Sequence, residues 1–100
     1  MLTINEIKNR LYPIIKNYPV IKVTLFGSYA RGDATESSDI DLVIDNAGMM
    51  LNRKIFALGG ELLSALPVRV DVYDVMELNK SSGLYERFVH EGVVIYDATG

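Results

Sequence analysis

Apolar residues recur along the chain with two different periods, and each change of period marks a new element. Ile4, Ile7, Leu11, Ile14, Ile15 and Tyr18 keep the three- and four-residue spacing of one helical face. Thr3 and Glu6 match a capping box, in which each side chain satisfies the other's backbone N–H, and Leu2 and Ile7 stand where a hydrophobic staple packs. Pro13 has no backbone N–H, so this helix is expected to kink or to end near Tyr12, with Ile14 to Tyr18 resuming as a further turn. From Val20 to Phe26 the residues turn β-branched and aromatic, which predicts a strand. Past the polar loop 32–38, Asp39-Ile40-Asp41-Leu42-Val43-Ile44 reads as a second strand with Ile40, Leu42 and Ile44 turned to the core. Leu51, Ile55, Leu58, Leu62 and Leu66 restore the helical spacing. Within that run Gly59-Gly60, at about 1 kcal/mol each relative to alanine, predicts a bend or a close contact. Val68 to Tyr73 alternates as a third strand. Leu84, Tyr85, Phe88 and Val89 predict a last amphipathic helix stopped by a left-handed Gly92, and Val93 to Tyr96 a closing strand.

Composition narrows the class. A chain of 100 residues, 49% hydrophobic and 23% charged, suits one globular domain, residues 1–100, with a core of modest size. It has no cysteine, so neither disulfides nor thiolate metal sites hold it together. No stretch has the make-up of a signal peptide or a membrane span, so a soluble cytoplasmic protein is expected, with no membrane partner. The net charge is −3, and the ten lysines and arginines are scattered, which argues against a long nucleic-acid substrate.

Candidate chemistry lies where the first two strands meet. Gly27-Ser28 ends the first strand; glycine lets backbone N–H groups approach an anion, and the Ser28 hydroxyl adds a donor. A short helix starting there would add its free amides, and Arg31, one turn on, offers a planar fork to the same anion or pairs at the surface with Asp33 or Glu36. Asp39 and Asp41 share one face of the second strand, roughly 7 Å apart, and aspartate is disfavoured in strands. Asp71 repeats the anomaly in the third strand, between Val70 and Val72. Should the two strands be neighbours, the three acids meet at one sheet edge and suit two magnesium ions roughly 4 Å apart. Other residues have plainer explanations. Arg53 and Lys54 read as a solvated face, Asp74 and Glu77 as capping acids, and the lone His90 as a helix C-terminal residue favoured by the dipole. Tyr12, Tyr18, Tyr73, Tyr85 and Tyr96 read as half-buried core, whereas Tyr29 is placed to touch a nucleotide.

Leu25-Phe26-Gly27-Ser28-Tyr29-Ala30-Arg31-Gly32, ten residues between Ser28 and Asp39, then Ser38-Asp39-Ile40-Asp41-Leu42 and a later Asp71 resemble the signature of the polymerase β-like nucleotidyltransferases. The string is similar to the small prokaryotic subgroup of minimal nucleotidyltransferases, the MNT proteins, over nearly the whole chain. The resemblance implies an α+β fold, a small mixed sheet with helices packed on it. It also implies Mg2+-dependent transfer of a nucleoside monophosphate, AMP from ATP first among donors, to a hydroxyl. Asp39, Asp41 and Asp71 would be catalytic and hold two Mg2+ ions; Gly27, Ser28 and Arg31 would bind the nucleotide. MNT proteins commonly act as antitoxins that adenylylate a tyrosine of a HEPN-type RNase toxin, which makes such a toxin the expected acceptor and partner. The alternatives are an antitoxin that neutralises by binding alone, and a small-molecule nucleotidyltransferase of the aminoglycoside type with an accessory subunit.

Overall fold

The computed structural model describes residues 1–99. Its centre is a four-stranded sheet. The strands are β1 (Lys22–Phe26), β2 (Ile40–Asp45), β3 (Val70–Asp74) and β4 (Val93–Asp97), in the spatial order β3-β2-β1-β4. β1 pairs antiparallel with β2 and β4, and β2 pairs parallel with β3, so the sheet is mixed. A parallel neighbour needs a long crossover. Here it is helix α3 (Asn52–Ala65).

One sheet face carries Val23, Leu25, Ile40, Leu42, Ile44 and Val70, which join Ile7, Leu11 and Ile15 of α1 (Ile4–Ile15) and Leu58 and Leu62 of α3 in one buried cluster. The alternation of each strand thus puts its aliphatic residues under two helices. The start of α1 has the full capping box: Thr3 Oγ1 accepts from the Glu6 N–H at 3.1 Å and Glu6 Oε1 accepts from the Thr3 N–H at 2.9 Å. The opposite face carries Thr24, Phe26, Asp41, Val43, Asp71 and Tyr73. Helix α4 (Gly83–Glu91) lies on that face, with the Phe88 ring set edge-on to Phe26 at a centroid distance of 6.5 Å.

Two expectations about the helices, at Pro13 and Gly92, need correction. Pro13 neither ends nor divides α1, which continues to Ile15. It stands in the last turn, where its missing N–H removes only the bond to the Asn9 carbonyl, and its own carbonyl accepts from Asn17 Nδ2 at 3.1 Å. At Gly59-Gly60 the close contact expected is found: α3 runs through unbroken, and a Cβ at Gly59 would sit 3.9 Å from Val72 of the sheet. Gly92 is not left-handed, with φ −63° and ψ 136°. Glycine is required there by space: a Cβ would lie 2.5 Å from the Phe88 carbonyl oxygen and 2.7 Å from Thr24 Cγ2. Asp74 is a cap as expected, its Oδ1 accepting from the Met76 N–H at 2.9 Å to start a 3₁₀ turn, Val75–Glu77.

Candidate active site

The antiparallel register sets Phe26, the last residue of β1, opposite Asp41. Gly27 therefore leaves the sheet beside that carboxylate. Its backbone, φ 80° and ψ −155°, is one that residues with a Cβ rarely adopt, and a Cβ there would lie 2.6 Å from Asp41 Oδ2. Torsion and space both demand glycine. The chain then enters α2 (Ser28–Arg31), whose first bonds run from the Ala30 and Arg31 N–H groups to the Gly27 carbonyl at 3.1 and 3.0 Å. The Ser28 and Tyr29 amides precede those bonds and belong to the unsatisfied first turn of a helix. Gly32, left-handed at φ 87°, closes α2.

Across β2 the parallel register sets Asp41 opposite Asp71. Asp39 stands just before β2. The fold brings the acids to one part of the sheet, although among the described residues no three acidic, histidine or cysteine side chains stand close enough to hold an ion. Their fields still overlap. Burial, first, and then the Asp71 carboxylate push the Asp41 carboxyl above its usual range, with Asp39 adding to the rise and Arg87 and Arg31 opposing it. Tyr73, two residues beyond Asp71, is raised by burial, then by Asp71 and Asp41. Arg69 Nε lies 3.2 Å from Asp71 Oδ1, an exposed contact that leaves the rest of the carboxylate open. A hard divalent cation suits these oxygen donors, since a positive charge beside Asp41 would offset the burial and the Asp71 charge that raise its carboxyl.

Arg31 pairs with Asp33, the surface partner considered from sequence, at 3.2 Å, and also with Glu91 at 2.8 Å; Glu36 is not its partner. Tyr29 does not face the site. It is 6% exposed and part of the core under the sheet, where it lines a cavity of about 310 Å³ with Leu2, Pro67 and Val68. Among the other tyrosines Tyr12 is exposed, while Tyr18, Tyr73, Tyr85 and Tyr96 are half-buried. Tyr18 donates to the Glu61 carboxylate of α3. His90 is in the last turn of α4, and Arg53 and Lys54 are exposed, all as expected. Sequence reasoning missed Arg87 and Glu91. The signal was a cation and an anion four residues apart on α4, but nothing local told that this helix lies over the acids.

Comparison with known families gives the class of protein. The family model for polymerase β nucleotidyltransferases matches residues 9–99, and the chain belongs to that family. Within it the chain is 32% identical over 99 residues to the protein adenylyltransferase MntA of Thermococcus cleftensis, covering 95% of this chain and 98% of the relative. Among solved structures it is similar to a chain of a toxin–antitoxin crystal structure with AMP-PNP, at 26% identity and a TM-score of 0.77, covering 91% of this chain and 73% of that one. A chain in the structure of the tri-AMPylated Shewanella oneidensis HEPN toxin with its MNT antitoxin shares the fold, with a TM-score of 0.73 at 22% identity, over 97% of this chain and 75% of that one. The expected α+β nucleotidyltransferase fold is thus the observed one, and enzymes of this family generally use Mg2+. Among the described residues no helix is long and apolar enough to cross a membrane.

Proposed function

We propose that this nucleotidyltransferase moves AMP from ATP to a hydroxyl of a partner protein, a tyrosine of a HEPN-type RNase toxin, and so acts as the antitoxin. It does so as one minimal domain in the cytoplasm. The observation that carries the chemistry is the position of Asp41, against Gly27 on one side and opposite Asp71 on the other. A phosphate-binding turn and paired carboxylates within one step of each other suit a triphosphate lying across them. The partner is supported by the similar structures, which hold toxin–antitoxin complexes, AMP-PNP and an AMPylated toxin.

In this reading Gly27 and Ser28 bind the triphosphate through backbone N–H groups and the Ser28 hydroxyl, and Arg31 balances its charge. Asp39, Asp41 and Asp71 would hold two Mg2+ ions once their side chains turned together onto them, and the ions would supply Lewis-acid stabilisation of charge on the phosphates. Asp71 also accepts the proton from the acceptor hydroxyl as its oxygen forms a bond to the α-phosphorus. The bond from the α-phosphorus to the bridging oxygen breaks, and pyrophosphate leaves with that electron pair. Little of the domain is left to enclose an acceptor, so the acceptor surface is the partner's own.

The test is incubation with Mg2+ and α-labelled ATP, with and without the co-encoded toxin, followed by intact mass of every protein. AMP on the toxin, absent with Asp41→Ala, is the expected result. A tight complex without transfer overturns the enzymatic role in favour of neutralisation by binding. Labelling of an added aminoglycoside instead of the toxin overturns the protein acceptor.

A further inference from the structure

Arg31 is held by two carboxylates from different parts of the chain. Its Nε donates to Asp33 Oδ2 at 3.2 Å, and its Nη1 donates to Glu91 Oε2 at 2.8 Å. The two contacts differ in kind. Asp33 is a local neighbour in the loop after α2, and its side chain is 63% exposed, so water competes freely for it. Glu91 comes from the last turn of α4, far along the chain, and its side chain is 23% exposed. The seat of α4 is itself fixed close to the nucleotide turn: Phe88, three residues before Glu91, packs on Phe26, the residue before Gly27. Gly92, just after Glu91, lets α4 come down onto Thr24 of β1.

A guanidinium has three nitrogens in a rigid plane, so fixing two of them fixes the third. We infer that Glu91 is a positioning residue for the nucleotide site, which with Asp33 clamps the Arg31 guanidinium at Nε and Nη1 and leaves Nη2 for the triphosphate. The inference rests on the nucleotidyltransferase reading and adds a residue to it. Arg31 hangs from a single-turn helix, and a long side chain there samples many rotamers. Held at two points it meets the phosphate with its geometry already set, which lowers the ordering cost of binding. Glu91 does not touch the nucleotide in this arrangement, and its effect passes wholly through Arg31.

A double-mutant cycle tests this. Mg2+–AMP-PNP is titrated by calorimetry into the wild type, Glu91→Ala, Glu91→Gln, Arg31→Ala and the Arg31→Ala/Glu91→Ala pair, with the thermal midpoint of each variant measured alongside. Glu91→Ala is expected to weaken binding about fivefold to tenfold, as loss of a charge-assisted hydrogen bond acting at second hand. It is expected to change nothing further once Arg31 is alanine. Glu91→Gln keeps an oxygen able to accept from Nη1 and recovers part of the loss; it also carries the comparison if Glu91→Ala unfolds. Equal weakening in both backgrounds overturns the inference, making Glu91 a structural staple of α4. Tighter binding by Glu91→Ala also overturns it, because Glu91 would then draw Arg31 away from the phosphate. Unchanged affinity in Arg31→Ala fails at a different point, removing Arg31 from the phosphate site and the clamp with it. A wild type that binds no AMP-PNP overturns the nucleotide reading itself.

Discussion

Asp41 and Asp71 stand directly opposite each other in the parallel pairing of β2 with β3, so two acids share adjacent positions on a sheet face that is part-covered by α4. Like charges at such a site oppose folding unless a cation intervenes.

That opposition has a sign that can be measured. Burial and Asp71 raise the Asp41 carboxyl above its ordinary 3.8 in the folded chain. A raised carboxyl favours folding while it is protonated; the contribution is complete below the unfolded value and is lost as pH rises through the folded one. Near neutral pH the metal-free Asp41→Asn protein is therefore expected to melt above the wild type in EDTA, with the gap closing as pH falls toward 3.8. Added Mg2+ is expected to raise the wild-type midpoint and to do less for the variant. The same substitution is expected to lower adenylyl transfer by about a hundredfold or more, which separates a stabilised fold from a working site.

Gly27→Ala is expected to lose on two counts. The backbone at φ 80° and ψ −155° costs a residue with a Cβ about 1–3 kcal/mol, and the new methyl group displaces the Asp41 carboxylate. Chemical denaturation checks the first. The second appears as lost AMP-PNP affinity, and an alanine variant that binds as tightly as the wild type would separate the turn from the nucleotide.

Gly92 and Gly60 form a matched pair. Alanine at Gly92, whose torsions any residue tolerates, meets the Phe88 carbonyl and Thr24, and overpacking of this kind costs about 1–3 kcal/mol. Alanine at Gly60, inside α3 with open space around it, is expected to stabilise by up to about 1 kcal/mol. Urea midpoints of the two variants should move in opposite directions.

Tyr29→Phe removes a hydroxyl from a residue that faces the core beneath the sheet. AMP-PNP affinity should stay within about twofold of the wild type, as for a change that makes no ligand contact. A larger loss would return Tyr29 to the nucleotide site.

The parts of the fold legible in the sequence are those set by short-range physics. Thr3 and Glu6 are three residues apart, so their capping box can be read before any tertiary contact exists. Asp41 and Asp71 were visible as acids in strands that ought to be apolar, with Asp39 just before one of them, but that the two strands are neighbours could be read only as a condition. The long-range facts were not legible. Helical periodicity shows that α4 has an apolar face, but not which side of the sheet receives it, so Arg87 and Glu91 went unnoticed. Gly92 looked like a left-handed cap because the type of residue was informative and its neighbours were not; Thr24 is far away in the chain and pressed against it in space. Tyr29 failed for the related reason that a helix turns about 100° per residue, so closeness to Ser28 in sequence did not tell which way its ring points, and it points into the core.

The mixed sheet also sets an order of events for the folding chain. The contact between Gly27 and Asp41 spans a short loop between antiparallel neighbours, while Asp71 joins Asp41 only after α3 has formed and the crossover has closed. Loop-closure entropy makes the second contact the slower one to acquire. A nascent chain would carry the turn and its first acids before it carried a complete triad, so chemistry waits for the more non-local of these two contacts.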